Sequence, residues 1–203
     1  MRLPIDIETV KGFLDPAEGA ALYEAAFTRA PYGACLEIGS YCGKSTVYLG
    51  TACRDAGGVL YTIDHHRGSE EMQPGWEHHD PETWDAKAGS METLPFLRDT
   101  LRRAKLEECV VPMVGRARVI ARHWTIPLSF LFIDGGHTIE NALADYEGFA
   151  HHVMAGGLMA IHDVFPDPKD GGRPPFEIFR MALASGRFAE LTAVKSLRVL
   201  VRR

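Results

Sequence analysis

The sequence is poor in the features that mark secreted and membrane proteins. It contains four cysteines, which are Cys35, Cys42, Cys53 and Cys109. They show no Cys-x-x-Cys spacing, so we expect four reduced thiols. No apolar run approaches the roughly 20 residues needed to cross a bilayer, and the first residues lack the apolar segment of a signal peptide. These absences predict a cytoplasmic protein without a membrane partner.

Clustered positive charge is also missing. The net charge is -5, and before the end of the chain no basic run is longer than Arg102-Arg103. Nucleic-acid binding depends on grouped lysines and arginines that displace counterions, so we expect no nucleic-acid partner. The chain has 203 residues, of which 46% are hydrophobic and 24% charged. This length and composition predict a single, well-buried α/β domain over residues 1–203.

One glycine-containing stretch organises the sequence. An apolar run from Ala34 to Ile38 leads into a turn with Gly39 and Gly43, and a helical pattern extends from Lys44 towards Ala56. Glycines allow a sharp turn or close approach of the backbone to a ligand, and the helix that follows directs free N–H groups at the turn. The pattern predicts a loop that binds a nucleotide-type ligand.

The spacing of this loop excludes two familiar motifs. A phosphate-binding P-loop needs four residues between its glycines, and here there are three, with Ile38 where the first glycine should be. The dinucleotide fingerprint fails because Tyr41 stands where its second glycine should be. The pattern that remains is Glu37-x-Gly39-x-x-x-Gly43-x-Ser45, and an ordinary strand-to-helix turn stays open as an alternative.

An acidic residue follows the second apolar run. That run, 59–63, ends at Asp64, which is 21 positions after Gly43. An acid about 20 positions beyond such a loop, at the end of the second strand, is placed to bind the two hydroxyls of a ribose. The loop and the acid together favour a nucleoside ligand over a simple turn aspartate.

Apolar runs alternate with helical patterns along the chain. Strands are predicted at 34–38, 59–63, 110–114, 128–133, 158–161, 188–193 and 197–201, and further helices start at Pro16 and cover 91–105, 139–152 and 176–185. Unbroken apolar runs are typical of strands buried on both faces of a parallel sheet. The order predicts a Rossmann-like α/β fold with a doubly wound, mostly parallel seven-stranded sheet that ends in an antiparallel hairpin strand.

Polar residues and glycines follow five of these strands. They are Glu37 and Gly39, then Asp64-His65-His66, Gly115-Arg116, Asp134-Gly135-Gly136-His137 and His162-Asp163. In open α/β sheets, ligands bind beyond the carboxyl ends of the strands. We therefore expect all five groups on one edge of the sheet.

Two irregular segments are candidates for the acceptor side of the site. Residues 65–90 form a long connection, which predicts a lid or a substrate-binding insertion. Its candidate binding residues are His65, His66, Trp76, Glu77 and His78, although the histidines could equally be solvated surface. In a second turn-rich segment, 166–175, Arg173 could reach the substrate, or the segment could be only a surface loop.

These motifs together resemble the class I S-adenosylmethionine-dependent methyltransferases over about residues 33–165. The resemblance implies that the cofactor is bound by Glu37, Gly39, Ser40, Tyr41, Gly43, Ser45, Asp64, His65, Gly115, Arg116 and Asp134. Within the class, the acids that end the fourth and fifth strands resemble those of metal-dependent sugar O-methyltransferases, such as those of methylmannose-polysaccharide synthesis.

The metal in those enzymes is Mg²⁺, and the resemblance implies that Asp134 and Asp163 bind it. Sugar methyltransferases commonly have two consecutive acids after the fifth strand. Here the first of them is His162, which leaves the third ligand open. Two carboxylates suit a hard cation that retains exchangeable waters.

The expected reaction is methylation of a hydroxyl on a sugar or oligosaccharide. A bound cation lowers the pKa of the hydroxyl, and a base takes the proton as the C–O bond forms. His137 is the first candidate for the base, beside the catalytic Asp134, and His162 is the second. Transfer to a catechol or phenol, and a module that binds the cofactor without turnover, remain alternatives. For an enzyme of this size we expect a homodimer.

Overall fold

A computed structural model describes residues 1–69, 72–76, 79–136, 138–167, 169 and 173–203 of the chain. A seven-stranded sheet forms its centre. The strands are β1 (Ala34–Ile38), β2 (Leu60–Asp64), β5 (Val110–Val114), β6 (Leu128–Ile133), β7 (Val153–Ile161), β8 (Phe188–Val194) and β9 (Leu197–Arg202). A separate two-stranded hairpin consists of β3 (Trp84–Asp85) and β4 (Ser90–Met91).

The order of strands in the sheet is β5-β2-β1-β6-β7-β9-β8. The first five are parallel, and β9 pairs antiparallel with both β7 and β8. The predicted doubly wound sheet with a terminal hairpin is confirmed. Because β1, β2, β5, β6 and β7 run in one direction, their carboxyl ends lie along one edge of the sheet.

Helices connect the strands. They are α1 (Pro16–Arg29), α2 (Lys44–Ala56), α3 (Leu94–Ala104), α4 (Ala117–Ile120), α5 (Ile139–Phe149) and α6 (Arg173–Ala184). The α1 helix begins as its sequence predicts, because the Asp15 side chain accepts a hydrogen bond from Ala17 N–H and proline occupies the first position. Among the residues that the structure describes, every helix is too short or too polar to span a bilayer.

Two apolar clusters lie on opposite faces of the sheet, because neighbouring residues of a strand point to opposite sides. On one face, Cys35 and Phe130 pack with residues of α1, α2 and α3. On the other, Leu36 and Leu131 pack with residues of α5 and α6. Both faces are covered, as the unbroken apolar runs predicted.

Candidate active site

A cavity of about 570 Å³ lies at the carboxyl edge of the parallel strands. This volume is in the range of small-molecule sites. Most of the residues predicted for cofactor binding line it: Gly39, Ser40, Tyr41, Ser45, Asp64, His65, Gly115, Arg116 and Asp134. The structure therefore brings the ends of β1, β2, β5 and β6 together around one cavity.

The loop after β1 is tightly packed. Gly39 has φ +95°, and a Cβ atom there would lie 1.9 Å from the Asp134 carbonyl oxygen. Gly43 has φ +98° and caps α2, where a Cβ atom would meet Leu97 at 3.0 Å. Both positions require glycine, one for contact with the end of β6 and the other for the start of the helix. Gly43 does not line the cavity and shapes the loop from behind.

Glu37 anchors this loop from below. Its carboxylate is fully buried and accepts hydrogen bonds from the hydroxyls of Ser45 (2.6 Å), Thr46 (2.7 Å) and Thr62 (2.7 Å). Burial raises the pKa of Glu37 to about 7 in spite of these bonds. The carboxylate does not line the cavity; it links β1 to β2 and to the first turn of α2 and so supports the loop from behind.

The Asp64 carboxylate lines the cavity beside the loop. Its Oδ2 accepts a hydrogen bond from Tyr41 N–H (2.8 Å), and its Oδ1 accepts one from His66 N–H (2.7 Å). Each carboxylate oxygen accepts one of these hydrogen bonds and keeps a further lone pair that can accept a hydrogen bond from a ligand. The geometry fixes the acid at the end of β2 against the glycine loop.

Ser40 places an unsatisfied hydroxyl at the cavity. The residue is 2% exposed, and its Oγ has no hydrogen-bond partner among the described residues. Buried hydroxyls without a partner are uncommon and cost free energy. A polar ligand atom in the cavity would satisfy this one.

The predicted metal residues meet at the ends of β6 and β7. Ligand atoms of Asp134, His162 and Asp163 all lie within 4.8 Å of one another. The Nδ1 of His162 lies 3.1 Å from Asp134 Oδ1 and 3.5 Å from Asp163 Oδ1. The sequence placed these residues at one edge, and the structure makes them neighbours.

Glu18 of α1 completes this cluster from the other side of the His162 ring. Its Oε2 accepts a hydrogen bond from His162 Nε2 (3.1 Å), and its Oε1 accepts from Ser196 N–H (2.9 Å) and Leu197 N–H (3.1 Å). Both residues are buried, with Glu18 4% and His162 5% exposed. The sequence pattern of α1 contained no signal that Glu18 reaches the site.

These contacts set the charge of the cluster. Burial disfavours the imidazolium, but Asp134 and Glu18 outweigh it and raise the pKa of His162 to about 11. Burial likewise opposes ionisation of Glu18, but hydrogen bonds from His162 and Ser196 lower its pKa to about 2. Without a cation, His162 is therefore protonated on both nitrogens at neutral pH.

Five predicted site residues do not line the cavity, although the structure describes them, and Gly43 behind the loop is one of them. Glu37 lies below the loop. His66 is buried with its Nδ1 2.7 Å from Thr93 Oγ1, and Trp76 is 63% exposed. Arg173 forms an ion pair with Glu177 on α6 (2.6 Å). Three further predicted residues lie outside the described residues, and these are His137, Glu77 and His78.

The cavity also has walls that the sequence did not predict. The segment 11–14 lines it from the N-terminal side, and Asn141 and Asp145 of α5 line it from below. No motif marks the first of these. The second had a signal, because Asn141 and Asp145 are one turn apart on the polar side of the helix that follows the end of β6.

Comparisons with known proteins agree with this geometry. Residues 36–164, more than half of the chain, match the methyltransferase domain family. Among solved structures, cofactor-bound Rv0187 from MTB is 16% identical with a TM-score of 0.68, and the likeness covers 96% of this chain and 84% of that one.

Two O-methyltransferases are also similar in structure. The enzyme from Bacillus cereus in complex with SAH is 19% identical with a TM-score of 0.63, covering 94% of this chain and 83% of that one. TomG from Streptomyces achromogenes, in complex with SAM, is 17% identical with a TM-score of 0.63, covering 94% and 81%. At this identity the likeness shows the fold. The match over 36–164, on the sheet and cavity described above, shows that the chain belongs to the methyltransferase domain family.

Proposed function

We propose that this protein is an S-adenosylmethionine-dependent O-methyltransferase that acts on a hydroxyl of a sugar or another polyhydroxy acceptor. In this proposal residues 1–203 form one catalytic domain, with residues 65–90 as a lid or substrate-binding insertion. The family supports methyl transfer, and O-methyltransferases among the structural neighbours support the cofactor and the oxygen acceptor.

One observation carries the cofactor assignment. Asp64 and the glycine loop line the same cavity, and the Tyr41 N–H bond to Asp64 holds them together. A ribose with its hydroxyls at Asp64 would direct the amino-acid part of the cofactor along the loop, where the Ser40 hydroxyl has no partner among the described residues. One ligand would then form hydrogen bonds with both the Asp64 carboxylate and the Ser40 hydroxyl.

The acceptor class rests on the polarity of the cavity. Besides Asp134 and Asp163, the same cavity is lined by further polar residues, including His65, Arg67 and Asn141. A sugar offers many hydroxyls that such groups can bind, whereas a catechol or phenol is better served by an apolar wall. Two carboxylates beside a cofactor cavity also disfavour a module that only binds the cofactor.

The residues present fit a divalent cation. Adjacent ligands on an octahedral ion with bonds of about 2.1 Å lie about 3 Å apart, close to the separations of His162 Nδ1 from Asp134 and Asp163 (3.1 and 3.5 Å). Asp134, Asp163 and Nδ1 of His162 would hold the ion. His162 would give up the Nδ1 proton and keep its Nε2–H on Glu18, which is the usual support of a ligating histidine.

Mg²⁺ in this position would lower the pKa of the acceptor hydroxyl. The proton then needs a base. His162 is unsuited to this because both of its nitrogens face carboxylates. We therefore propose His137, three residues after Asp134, as the base.

Calorimetry with S-adenosylhomocysteine tests the cofactor assignment. We expect Asp64→Ala to weaken binding by about 1–3 kcal/mol, because the ribose loses a charged acceptor. Glu190→Ala, an exposed acid on β8, is the control and should bind like wild type. Equal affinities for wild type and Asp64→Ala would contradict the assignment.

Acceptor and metal are tested separately. A screen of sugars and phenols with the methyl donor, followed by mass shift, should find a methylated sugar. Calorimetric titration with Mg²⁺ should show binding that Asp163→Asn abolishes, and EDTA should stop turnover. If the enzyme keeps its full turnover rate in EDTA, the cation is not required, and this part of the proposal is contradicted.

Two coarser properties complete the proposal. Four buried free cysteines support a reducing, cytoplasmic location. We propose a homodimer on the general tendency of enzymes of this size to form symmetric pairs, and light scattering should give a mass near 45 kDa, about twice 22.4 kDa.

A further inference from the structure

His162 gives the cluster at the ends of β6 and β7 a nitrogen donor between two carboxylates. Within the described part of the chain, ligand atoms of Asp134, His162 and Asp163 lie close enough to hold one metal ion together. The His162 Nδ1 atom is 3.1 Å from Asp134 Oδ1 and 3.5 Å from Asp163 Oδ1. The donor set is therefore two oxygens and one imidazole nitrogen, which differs from the all-oxygen sites that Mg²⁺ prefers.

The His162 ring is held in one orientation. Its Nε2 donates a hydrogen bond to Glu18 Oε2 (3.1 Å), and it packs against the Phe132 ring with a centroid distance of 6.3 Å and an angle of 63° between the planes. Turning the ring by half a rotation would put carbon atoms where both nitrogens now lie, so the contacts with Glu18 and Asp134 would be lost together. The Nδ1 atom therefore stays directed at the two aspartates.

The Glu18 carboxylate that holds the ring is itself fixed. Its Oε1 accepts hydrogen bonds from Ser196 N–H (2.9 Å), the Ser196 hydroxyl (2.8 Å) and Leu197 N–H (3.1 Å). These three bonds leave Oε2 directed at His162. A carboxylate on one nitrogen of an imidazole makes the other nitrogen a better metal ligand, because it raises the basicity of the ring.

Divalent ions differ in how well they accept such a nitrogen. Mg²⁺ is a hard cation that prefers oxygen ligands and loses its waters reluctantly. Imidazole suits the first-row transition ions better, and the affinity of a given site for them rises from Mn²⁺ through Co²⁺ towards the end of the series. A fixed imidazole nitrogen beside two carboxylates therefore favours a transition ion over Mg²⁺.

We propose that this cluster is a site for a first-row transition dication such as Mn²⁺, Co²⁺ or Zn²⁺, and that the His162 nitrogen determines its preference over Mg²⁺. This inference rests on the proposed cation site and concerns the identity of the ion. Mg²⁺ binds the same three groups more weakly. A transition ion lowers the pKa of a bound hydroxyl as well, so the proposed reaction is unchanged.

Calorimetric titrations with Co²⁺ and with Mg²⁺ test the proposal. The variant is His162→Asn, which offers the ion an amide oxygen in place of the ring nitrogen. We expect the ratio of Co²⁺ affinity to Mg²⁺ affinity to fall by about tenfold or more, because the Co²⁺ affinity drops and the Mg²⁺ affinity changes little. Equal losses for the two ions, in a variant that still melts cooperatively, would overturn the inference.

A spectroscopic measurement on the wild type needs no variant. Pulsed electron paramagnetic resonance of the Mn²⁺-loaded protein should show coupling to a directly bound nitrogen nucleus. If Mn²⁺ binds and this coupling is absent, the nitrogen is not a ligand and the inference is wrong.

The control removes a second pair of imidazoles. The rings of His151 and His152 lie 3.9 Å apart, far from the cluster in sequence, and could bind Co²⁺ or Mn²⁺ on their own. A variant with both His151→Ala and His152→Ala should keep the Co²⁺ preference and the nitrogen coupling, and loss of either would overturn the inference. If Mg²⁺ binds the wild type as tightly as Co²⁺ does, the inference alone fails. If neither ion binds, the cation part of the proposed function fails as well.

Discussion

Gly39 shows how one residue without a side chain determines the shape of the site. Its backbone passes so close to the Asp134 carbonyl that a Cβ atom would lie 1.9 Å from the oxygen. No rotation of a side chain can relieve a clash with backbone, so the end of β1 or β6 would have to move. The contact couples the cofactor loop to the strand that carries Asp134.

We therefore expect Gly39→Ala to lose cofactor binding and to destabilise the fold by more than about 2 kcal/mol. Gly57→Ala is the matched control. Gly57 also has a positive φ (+72°), but nothing lies within 4 Å of a Cβ atom there, so it should cost only about 1–2 kcal/mol and leave binding intact. Urea denaturation and calorimetry measure both effects, and equal losses in the two variants would contradict the steric explanation.

The second prediction at the residue scale concerns the Glu18 carboxylate. Glu18→Gln leaves the buried His162 ring with a weaker acceptor and removes one charge from the cluster. We expect a loss of stability on the order of 3 kcal/mol at pH 7. Glu24→Gln, an exposed acid on the same helix, should change stability by less than about 0.5 kcal/mol.

The pH dependence has a definite sign. The pKa of Glu18 is lowered from 4.5 to about 2 in the folded protein, so its contribution is present above pH 4.5 and is lost as the pH falls from 4.5 towards 2. The difference in unfolding free energy between wild type and Glu18→Gln should shrink in that window. A constant difference from pH 6 to pH 3 would show that the stabilisation is not ionic.

Gly39 and Glu18 show what the sequence can and cannot predict at the residue scale. The spacing of Gly39 and Gly43 contained a local signal, because a loop between a strand and a helix is made by neighbouring residues. Glu18 and His162 are separated by 144 positions. Their pairing depends on how α1 packs against the sheet, and one sequence shows no pattern for that.

At the scale of elements, ion pairs join the segment 11–14 to the long connection after β2. The Lys11 ammonium lies 2.7 Å from Asp80 and 2.6 Å from Glu82, and these two bonds raise its pKa. Residues of both segments line the cavity. Two segments that are distant in sequence are thus linked on the same side of the cavity.

Lys11→Met should remove both ion pairs. Because the ion pairs are partly exposed, we expect a loss of about 1 kcal/mol, seen as roughly fivefold weaker binding of S-adenosylhomocysteine and faster proteolysis of residues 65–90. Lys87→Met, an exposed lysine in the same connection, is the control. If both variants bind like wild type, the ion pairs of Lys11 do not contribute to ligand binding.

The elements themselves differ in how well the sequence predicts them. All seven strands of the large sheet follow from apolar runs, and most boundaries agree within one or two residues. The start of β7 differs, because β7 begins at Val153 and not at residue 158. Gly156 and Gly157 interrupt the apolar run there, and the pairing of this part with β6 is irregular. The four-residue α4 and the β3–β4 hairpin were also missed, since two to four residues show no period.

At the scale of the whole molecule, the cavity connects segments from all of the first five strands of the large sheet, so a bound cofactor should stabilise the entire fold. With free ligand at about 100 times its dissociation constant, the gain is about 2.7 kcal/mol. For a chain of this size, with about 2–4 °C per kcal/mol, we expect a rise in melting temperature of about 5–11 °C. Differential scanning calorimetry with S-adenosylhomocysteine checks this, and Asp64→Ala should show a smaller rise because it binds the ligand more weakly.

The global arrangement was the most predictable level of all. Alternation of strands and helices, right-handed crossovers and a terminal hairpin permit few topologies, and the carboxyl edge of such a sheet is where ligands bind. The cluster at β6 and β7 could be located in this way. Its fourth member, Glu18, could not, because its partners belong to the last strand and the preceding turn.

That contact between residue 18 and residues 196–197 has a consequence for the newborn polypeptide. On the ribosome, α1 and the first five strands of the large sheet are synthesised before β9. Until the final strand leaves the exit tunnel, the Glu18 carboxylate lacks the two backbone donors that hold it towards His162. The cluster of Glu18, Asp134, His162 and Asp163 is accordingly completed last. A chain that ended before residue 196 would contain all four side chains and still lack the contacts that fix Glu18.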